Sequence, residues 1–297
     1  MSVRLNPNVV PDLLAAIQQS TQNQDIASQE LSTGRRVNQL SDDPAAAADL
    51  VANHNQSNMD DQYLQNLGSL QSKFQTADSA LSNVVTILNR ALALGTEGAN
   101  GTLTATNRQA IGVEVQGLIS QLVNLGNTSY QGSYLFSGTA VNTPPFAYDG
   151  STNSVTYSGD SGNTSVTLDT NNTIPGNVPG DQLLLNPSGS AFGALQDLVT
   201  ALQSGNNIGA AVTETQNAIS QVSAKRVVYD NGLNQINLAE SFLNQDKIDL
   251  STQENTLVGI DAAKATSDFA QASISNTAIL TATSRILNMP NLLSLLK

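Results

Sequence analysis

Between residues 67 and 91 the apolar side chains fall at alternating steps of three and four: Leu67, Leu70, Phe74, Ala77, Leu81, Val84, Leu88 and Ala91. No polar residue interrupts this heptad seam. A helix that carries such a seam must bury it against other helices, which constrains the chain more than any other stretch. Two partner seams are present. Ile111, Val115, Leu118, Leu122 and Leu125 repeat the spacing. Val222, Tyr229, Ile236, Leu243, Leu250 and Leu257 recur at strict sevens, with Ile219 and Leu233 between them. The first and third seams lie far apart in sequence, so the chain is expected to fold back on itself.

Composition agrees with a bundle. Hydrophobic residues are 39% of the 297 and aromatic residues 4%, without Trp. Long thin bundles need only a narrow apolar stripe and suit these values better than one aromatic-rich core. Lys plus Arg number 12 against 24 Asp plus Glu, a formal net charge of −12. Nucleic acid and anionic membrane are therefore poor partners. No apolar run reaches the roughly 18 residues that a membrane-spanning helix needs. The start of the chain lacks the charged region and apolar run of a cleaved signal peptide. Cysteine is absent, which excludes disulfides, thiolate metal sites and cysteine catalysis.

Along the chain, Asn8 to Pro11 reads as a helix start. Leu13, Ile17, Ala27 and Leu31 form its apolar stripe, with Ser20 and Gln24 on the same stripe. Such a helix is marginal alone. Gly34 ends it. Ser41 or Asp42 caps the next helix, with Asp43 or Pro44 in its first turn. That helix is expected to run from Pro44 to about Leu94, ended by Gly95, Gly98, Asn100 and Gly101. A shorter helix follows from Thr106 to about Leu125. From Gln131 onward, short β-branched and aromatic runs around Tyr148, Val155 and Val166 are bounded by Gly, Asn and Asp, and read as strands and hairpins. Helical pattern resumes at Phe192, and the third seam runs over 208–257. Gly232 lies inside it; there it either costs about 1 kcal/mol relative to Ala or marks a bend.

The last stretch carries two apolar stripes. Ile260, Ala263, Ala270, Ile274 and Thr277 form one; Ala265, Phe269, Ala272, Ile279 and Ile286 form the other. Asn288, Met289 and Pro290 precede a Leu-rich tail over 292–297. The fold class expected is mainly α: a long helical coiled-coil rod with the N- and C-terminal helices paired and a small central β-rich domain. The parts are a terminal coiled coil over 1–43 and 260–297, a helical rod over 44–136 and 188–259, and the β-rich domain over 137–187. The terminal helices are expected to order only when copies pack together.

Candidates for chemistry reduce to structural readings. His54 is the only histidine, and no HExxH pattern accompanies it. Asp42 and Asp43 read as helix caps, and Asp60 and Asp61 as a solvated face. Arg35 and Arg36 read as ion-pair partners of Asp42, Asp43 or a neighbouring subunit. No phosphate-binding Gly motif or GxSxG elbow occurs. No catalysis, metal or cofactor is expected.

The run Leu31-Ser32-Thr33-Gly34-Arg35-Arg36-Val37-Asn38, followed by Ser41-Asp42-Asp43-Pro44-Ala45-Ala46-Ala47, resembles the N-terminal signature of bacterial flagellins and their hook–filament junction relatives. Gly259 to Ala263 and the tail look flagellin-like as well. Asn100 to Leu103, Arg108, Gln116 to Leu118 and Leu125 to Asn127 resemble the junction relatives, as do Gly132 to Thr139 with Pro144 to Phe146. The Leu295-Leu296-Lys297 ending leans instead toward flagellin, the alternative reading. The resemblance implies a terminal coiled coil, a helical rod and an outer β domain. It implies type III export without a cleaved signal, to an extracellular place in the flagellum. Ring assembly of identical copies between the first hook-associated protein and flagellin is implied too, along with an export chaperone. Under that resemblance Leu13, Ile17, Leu31, Ile260, Ala263, Phe269, Ala270, Ile274, Ile279 and Ile286 are candidate polymer contacts. The resemblance also places Arg35 to Pro44 where the terminal and rod parts join.

Overall fold

A computed structural model describes residues 9–169, 172–186 and 189–287. The sequence expectations about the start of the chain, the Asn288-Met289-Pro290 break and the 292–297 tail lie outside the described residues. The chain is mainly α. Its elements are α1 (Val9–Thr33), α2 (Pro44–Gly98), α3 (Ala105–Gly126), β1 (Ser129–Tyr130), β2 (Ser133–Tyr134), β3 (Phe146–Asp149), β4 (Ser154–Tyr157), β5 (Ser165–Thr167), β6 (Thr173–Pro175), α4 (Gly180–Leu184), α5 (Ala191–Ser204), α6 (Ile208–Val258) and α7 (Ala262–Leu287). They form two compact units. One contains Met1–Asn58 with Asp246–Lys297; the other is Met59–Gln245.

The larger unit is built on the heptad seam. Leu67, Leu81, Leu88 and Ala91 of α2 are fully buried, as are Val222 and Ile236 of α6. The two helices run antiparallel. Gln71 Nε2 donates to Asn237 Oδ1 at 2.9 Å, and Arg226 Nη2 donates to Asp78 Oδ2 at 3.0 Å, on either side of Phe74 and Tyr229. Those two rings meet edge to face at 5.2 Å and 85°. Val115, Ile119 and Leu122 of α3 and Phe192, Leu195, Leu198 and Leu202 of α5 close the core.

Several local expectations are corrected. Helix α2 continues through Gly95 to Gly98. Gly95 does not stop it, and the helix ends at Gly98; both glycines admit α5. A Cβ at Gly98 would lie 2.1 Å from Leu202 Cδ2. Thr104 caps α3, its Oγ1 accepting from Asn107 N at 3.2 Å, so the helix begins one residue before Thr106. Of the two readings of Gly232, the continuous helix holds: α6 runs through it unbroken. Asp60 is 1% exposed, not on a solvated face, whereas Asp61 is exposed.

The central region forms three separate antiparallel pairs, β1–β2, β3–β4 and β5–β6, and not one sheet. Pairs this short need outside packing. Phe146 supplies it: opposite Tyr157 in the register, its ring lies 5.1 Å from Tyr157 and 5.0 Å from Phe192 of α5. Lys73 of α2 donates to Gly176 O at 2.9 Å, and Val178 N donates to Tyr229 Oη at 3.3 Å. Burial pushes the Lys73 amine below, and the Tyr229 phenol above, its ordinary range.

Candidate assembly site of the terminal helices

In the smaller unit α1 and α7 lie side by side. Gln24 and Asn276 hydrogen-bond midway along them, and Ile260 N donates to Gly34 O at 3.3 Å at one end, so the helices run in opposite directions. The seam of α1 is Leu13, Ile17, Ser20, Gln24, Ala27 and Leu31. Ser20 and Ala27 are buried and the others half-buried. The facing seam of α7 is Ala265, Phe269, Ala272, Asn276 and Ile279. Ala265 is buried and the rest are half-buried. Both follow steps of three and four, the pattern of a two-helix coiled coil. The seam is thin in apolar volume and contains polar layers. Ser20 Oγ and Asn276 Oδ1 are buried without a hydrogen-bond partner among the described residues. An orphaned polar atom of this kind costs about 1–3 kcal/mol.

The structure separates the two stripes of α7. Phe269 and Ile279 face α1. Ala263, Ala270 and Ile274 are exposed, Ile274 at 70%. An open groove runs beside Ile274, Thr277, Ala278 and Thr281. Leu280 of α7 and Leu14 and Ile26 of α1 are also at least 49% exposed. Ile260 is half-buried at the start of the stretch, and the Ile286 side chain lies outside the described residues. Pairing within the chain thus uses one apolar stripe and leaves another uncovered.

Residues 34–44 form the crossover from α1 to α2. Gly34 adopts φ +69°, a left-handed end to α1, and its N–H donates to Glu30 O at 2.8 Å. Arg35 bridges to Gly259, and Arg36 N donates to Val258 O at 2.7 Å, which stitches the crossover to the α6–α7 connection. Val37 is buried with Ala46 and Val258. Asn38 Nδ2 donates back to Arg35 O at 2.8 Å. Asp42 Oδ2 accepts from the amides of Asn38 at 3.0 Å and Gln39 at 2.8 Å, folding the loop. Ser41 is an exposed turn residue. The cap of α2 is Asp43, not Ser41 or Asp42. Its Oδ1 accepts from Ala46 N at 3.1 Å, with Pro44 as the first helical residue. The Ala46 amide and the Arg36 guanidinium, 3.1 Å away, hold the Asp43 carboxyl below its ordinary range.

Sequence reasoning missed the acceptors on α6. Arg36 Nη2 donates to Leu257 O at 3.0 Å, and Arg35 pairs with Glu254. His54 Nε2 lies 4.0 Å from the same Glu254 and is exposed. The Arg35–Glu254 pair sits at the surface, where such a pair contributes about 0–1 kcal/mol, so it fixes geometry more than stability. Nothing in the local sequence marks Glu254, more than 200 positions from Arg35. Among the described residues no cluster of three or more metal-ligating side chains occurs, and no helix is long and apolar enough to cross a membrane.

The family model of the bacterial flagellin N-terminal helical region matches residues 10–141. Flagellar hook-associated protein 3 of Salmonella typhimurium is 28% identical over 256 residues, covering 78% of this chain and 80% of that protein. Flagellin B of Helicobacter pylori is 30% identical over 145 residues, but these cover only 28% of it. Among solved structures, the flagellar junction protein FlgL from Legionella pneumophila aligns with TM-score 0.61 at 17% identity, covering 71% of this chain and 100% of that one. FlgL from Xanthomonas campestris aligns with TM-score 0.59 at 17% identity, covering 67% of this chain and 98% of that one. These two likenesses establish the fold. The part matched by the family model runs from α1 through the Gly34–Pro44 crossover, α2 and α3, so this region resembles the helical N-terminal region of bacterial flagellins. Over most of its length the chain is similar to flagellar hook-associated protein 3.

Proposed function

We propose that the chain is a structural adaptor of the bacterial flagellum that joins a hook-associated protein ring to the flagellin filament through packing of its terminal helices. The observation that carries this is length-wide similarity to flagellar hook-associated protein 3, covering 80% of it, against matches to flagellins that cover 28–41% of them. On its likeness to those relatives we assign the chain a structural place in the extracellular flagellum. Assembly with other flagellar components follows from that assignment. The specific neighbours we assign are further copies in a ring, the first hook-associated protein on one side, flagellin on the other, and an export chaperone before assembly.

The working division is 1–43 and 260–297 for polymerisation, 44–136 and 188–259 as the rod, and 137–187 as the outer β-rich part. Of the polymer contacts, Ala263, Ala270 and Ile274 are assigned to neighbouring copies because their stripe is exposed. Leu13, Ile17, Leu31, Phe269 and Ile279 act indirectly, by holding α1 and α7 together. Ile260, half-buried beside Gly34, anchors the start of that pair, and Ile286 is assigned by its place on the same stripe as Ile279.

The test is electron microscopy of cells lacking the chain, with an assay of the medium for flagellin. Hooks that stop without filaments while soluble flagellin accumulates outside are the expected result. Unchanged filaments, or absence of all flagellin from the medium, would overturn the adaptor role.

A further inference from the structure

The chain contains two Asn-Gly steps, Asn100-Gly101 and Asn231-Gly232, and one Asp-Gly step, Asp149-Gly150. Each could in principle close to a cyclic imide, because glycine leaves its amide nitrogen unhindered. The fold treats the three differently.

Asn100 lies exposed in the turn between α2 and α3. Its backbone is held in a turn, with Asn100 N donating to Glu97 O at 3.0 Å and Leu103 N donating to Asn100 O at 3.1 Å. Its side-chain Oδ1 accepts two hydrogen bonds, from Thr102 N at 3.1 Å and Thr102 Oγ1 at 3.0 Å. Donors aimed at a carbonyl oxygen draw electron density from its carbon and stabilise the oxyanion that forms on attack. Gly101 is exposed, and a Cβ there would meet nothing within 4 Å. Its peptide has room to rotate.

Asn231 has neither feature. It sits inside α6, where the helix fixes its backbone and occupies the following amides. Gly232 is covered by the Phe74 ring. Asp149 is blocked in another way. The hydroxyls and amides of Ser151 and Thr152 hold its carboxyl ionised, with a pKa lowered to about 2. A carboxylate is a poor target for an amide nitrogen, since oxide would have to leave.

We propose that Asn100-Gly101 is a site of spontaneous deamidation built into the α2–α3 turn, with water as the only co-reactant. The Gly101 amide nitrogen attacks Asn100 Cγ and gives its proton to solvent. The oxyanion forms on Oδ1 between the two Thr102 donors. The carboxamide nitrogen takes a proton from water and departs as ammonia, leaving a five-membered imide. Water then adds to either imide carbonyl, giving Asp or isoAsp at position 100. The net change is uptake of one water, loss of one ammonia and one added negative charge in the turn. The product records how long the folded chain has existed.

The test incubates the full-length folded protein in mildly alkaline buffer, with a parallel sample in urea. Peptide mass mapping and isoaspartyl methyltransferase labelling follow both sites. In the folded sample Asn100 converts at least about tenfold faster than Asn231, a difference of about 1.4 kcal/mol in barrier. In urea the two rates converge. Thr102→Val slows Asn100 about threefold in the folded protein, as loss of one modest hydrogen bond predicts, and leaves its urea rate unchanged. Equal rates at both sites in the folded protein, or an Asn100 that converts only in urea, would overturn the proposal. A Thr102→Val rate equal to that of the parent would remove the hydroxyl from it.

Discussion

The ring of Phe74 occupies the space that a side chain at residue 232 would need: a Cβ built on Gly232 lies 2.3 Å from Phe74 Cε2. The glycine inside the longest unbroken seam of α6 is therefore a packing requirement of the α2–α6 pair. Its loss of helix propensity, about 1 kcal/mol, is offset by a buried aromatic contact.

Gly232→Ala should destabilise the protein although alanine favours helix. Overpacking of about 1–3 kcal/mol exceeds the propensity gained. Urea denaturation followed by circular dichroism reads the change. In a Phe74→Leu background the same substitution should lose most of its cost, a coupling that a double-mutant cycle measures. A Gly232→Ala chain more stable than the parent would contradict the packing account.

The two stripes of α7 predict opposite phenotypes. Ala270 is exposed, so Ala270→Arg should leave the helical circular dichroism of the monomer intact and block assembly. Ala265 is 5% exposed against α1. Ala265→Arg should separate α1 from α7 in the monomer itself, seen as faster amide exchange along both helices. Normal assembly by the Ala270→Arg chain would remove this stripe from the interface.

The α1–α7 pair buries polar layers at Ser20, Gln24 and Asn276 and little large apolar surface, so its local opening free energy should lie far below that of the Phe74 region. Limited proteolysis of verified monomer is expected to cut within 9–33 and 262–287 before it cuts 59–245. Replacing Gln24 and Asn276 together by leucines should slow that cutting. Survival of α1 after α3 has been cleaved would reverse the order.

Asp43 carries a pH dependence whose sign is fixed by its hydrogen bonds. Its carboxyl is held below its ordinary value in the fold, so the cap contributes stability above the unfolded pKa of 3.8 and loses it as pH falls through the lower folded value. Amide exchange at Ala46 and Ala47 should therefore rise as the solution is acidified below about pH 4. Asp43→Asn, which keeps an acceptor for the Ala46 amide, should flatten that dependence. A profile identical in the two proteins would place the titration elsewhere.

The helices were legible because periodicity is local. The seams through Leu67 and Val222 needed only spacing to be read; the first is buried throughout, the second from Val222 to Leu243, with Leu250 and Leu257 half-buried. The polar interruptions of α1 were visible too, at Ser20 and Gln24. Three features were not legible. The end of α2 was placed a turn early because Gly95 signals a stop unless Leu198 is known to press against it. Asp60 looked solvated because nothing in the local pattern distinguishes it from its exposed neighbour Asp61, yet it is buried. The cap fell on Asp43 because Asp42 is engaged by the amides of Asn38 and Gln39.

The sequence by itself determined which residues form apolar stripes, since helix geometry turns spacing directly into a face. It determined as well the Gly34-to-Pro44 signature by which the chain resembles bacterial flagellins. Tertiary structure alone decided which of the two α7 stripes meets α1 and that Arg35 reaches Glu254. It also decided that Gly232 sits under Phe74. Each is a choice among partners distant in the chain. Periodicity says that a face must be covered, and only packing in space, where volume and hydrogen-bond geometry compete, selects what covers it.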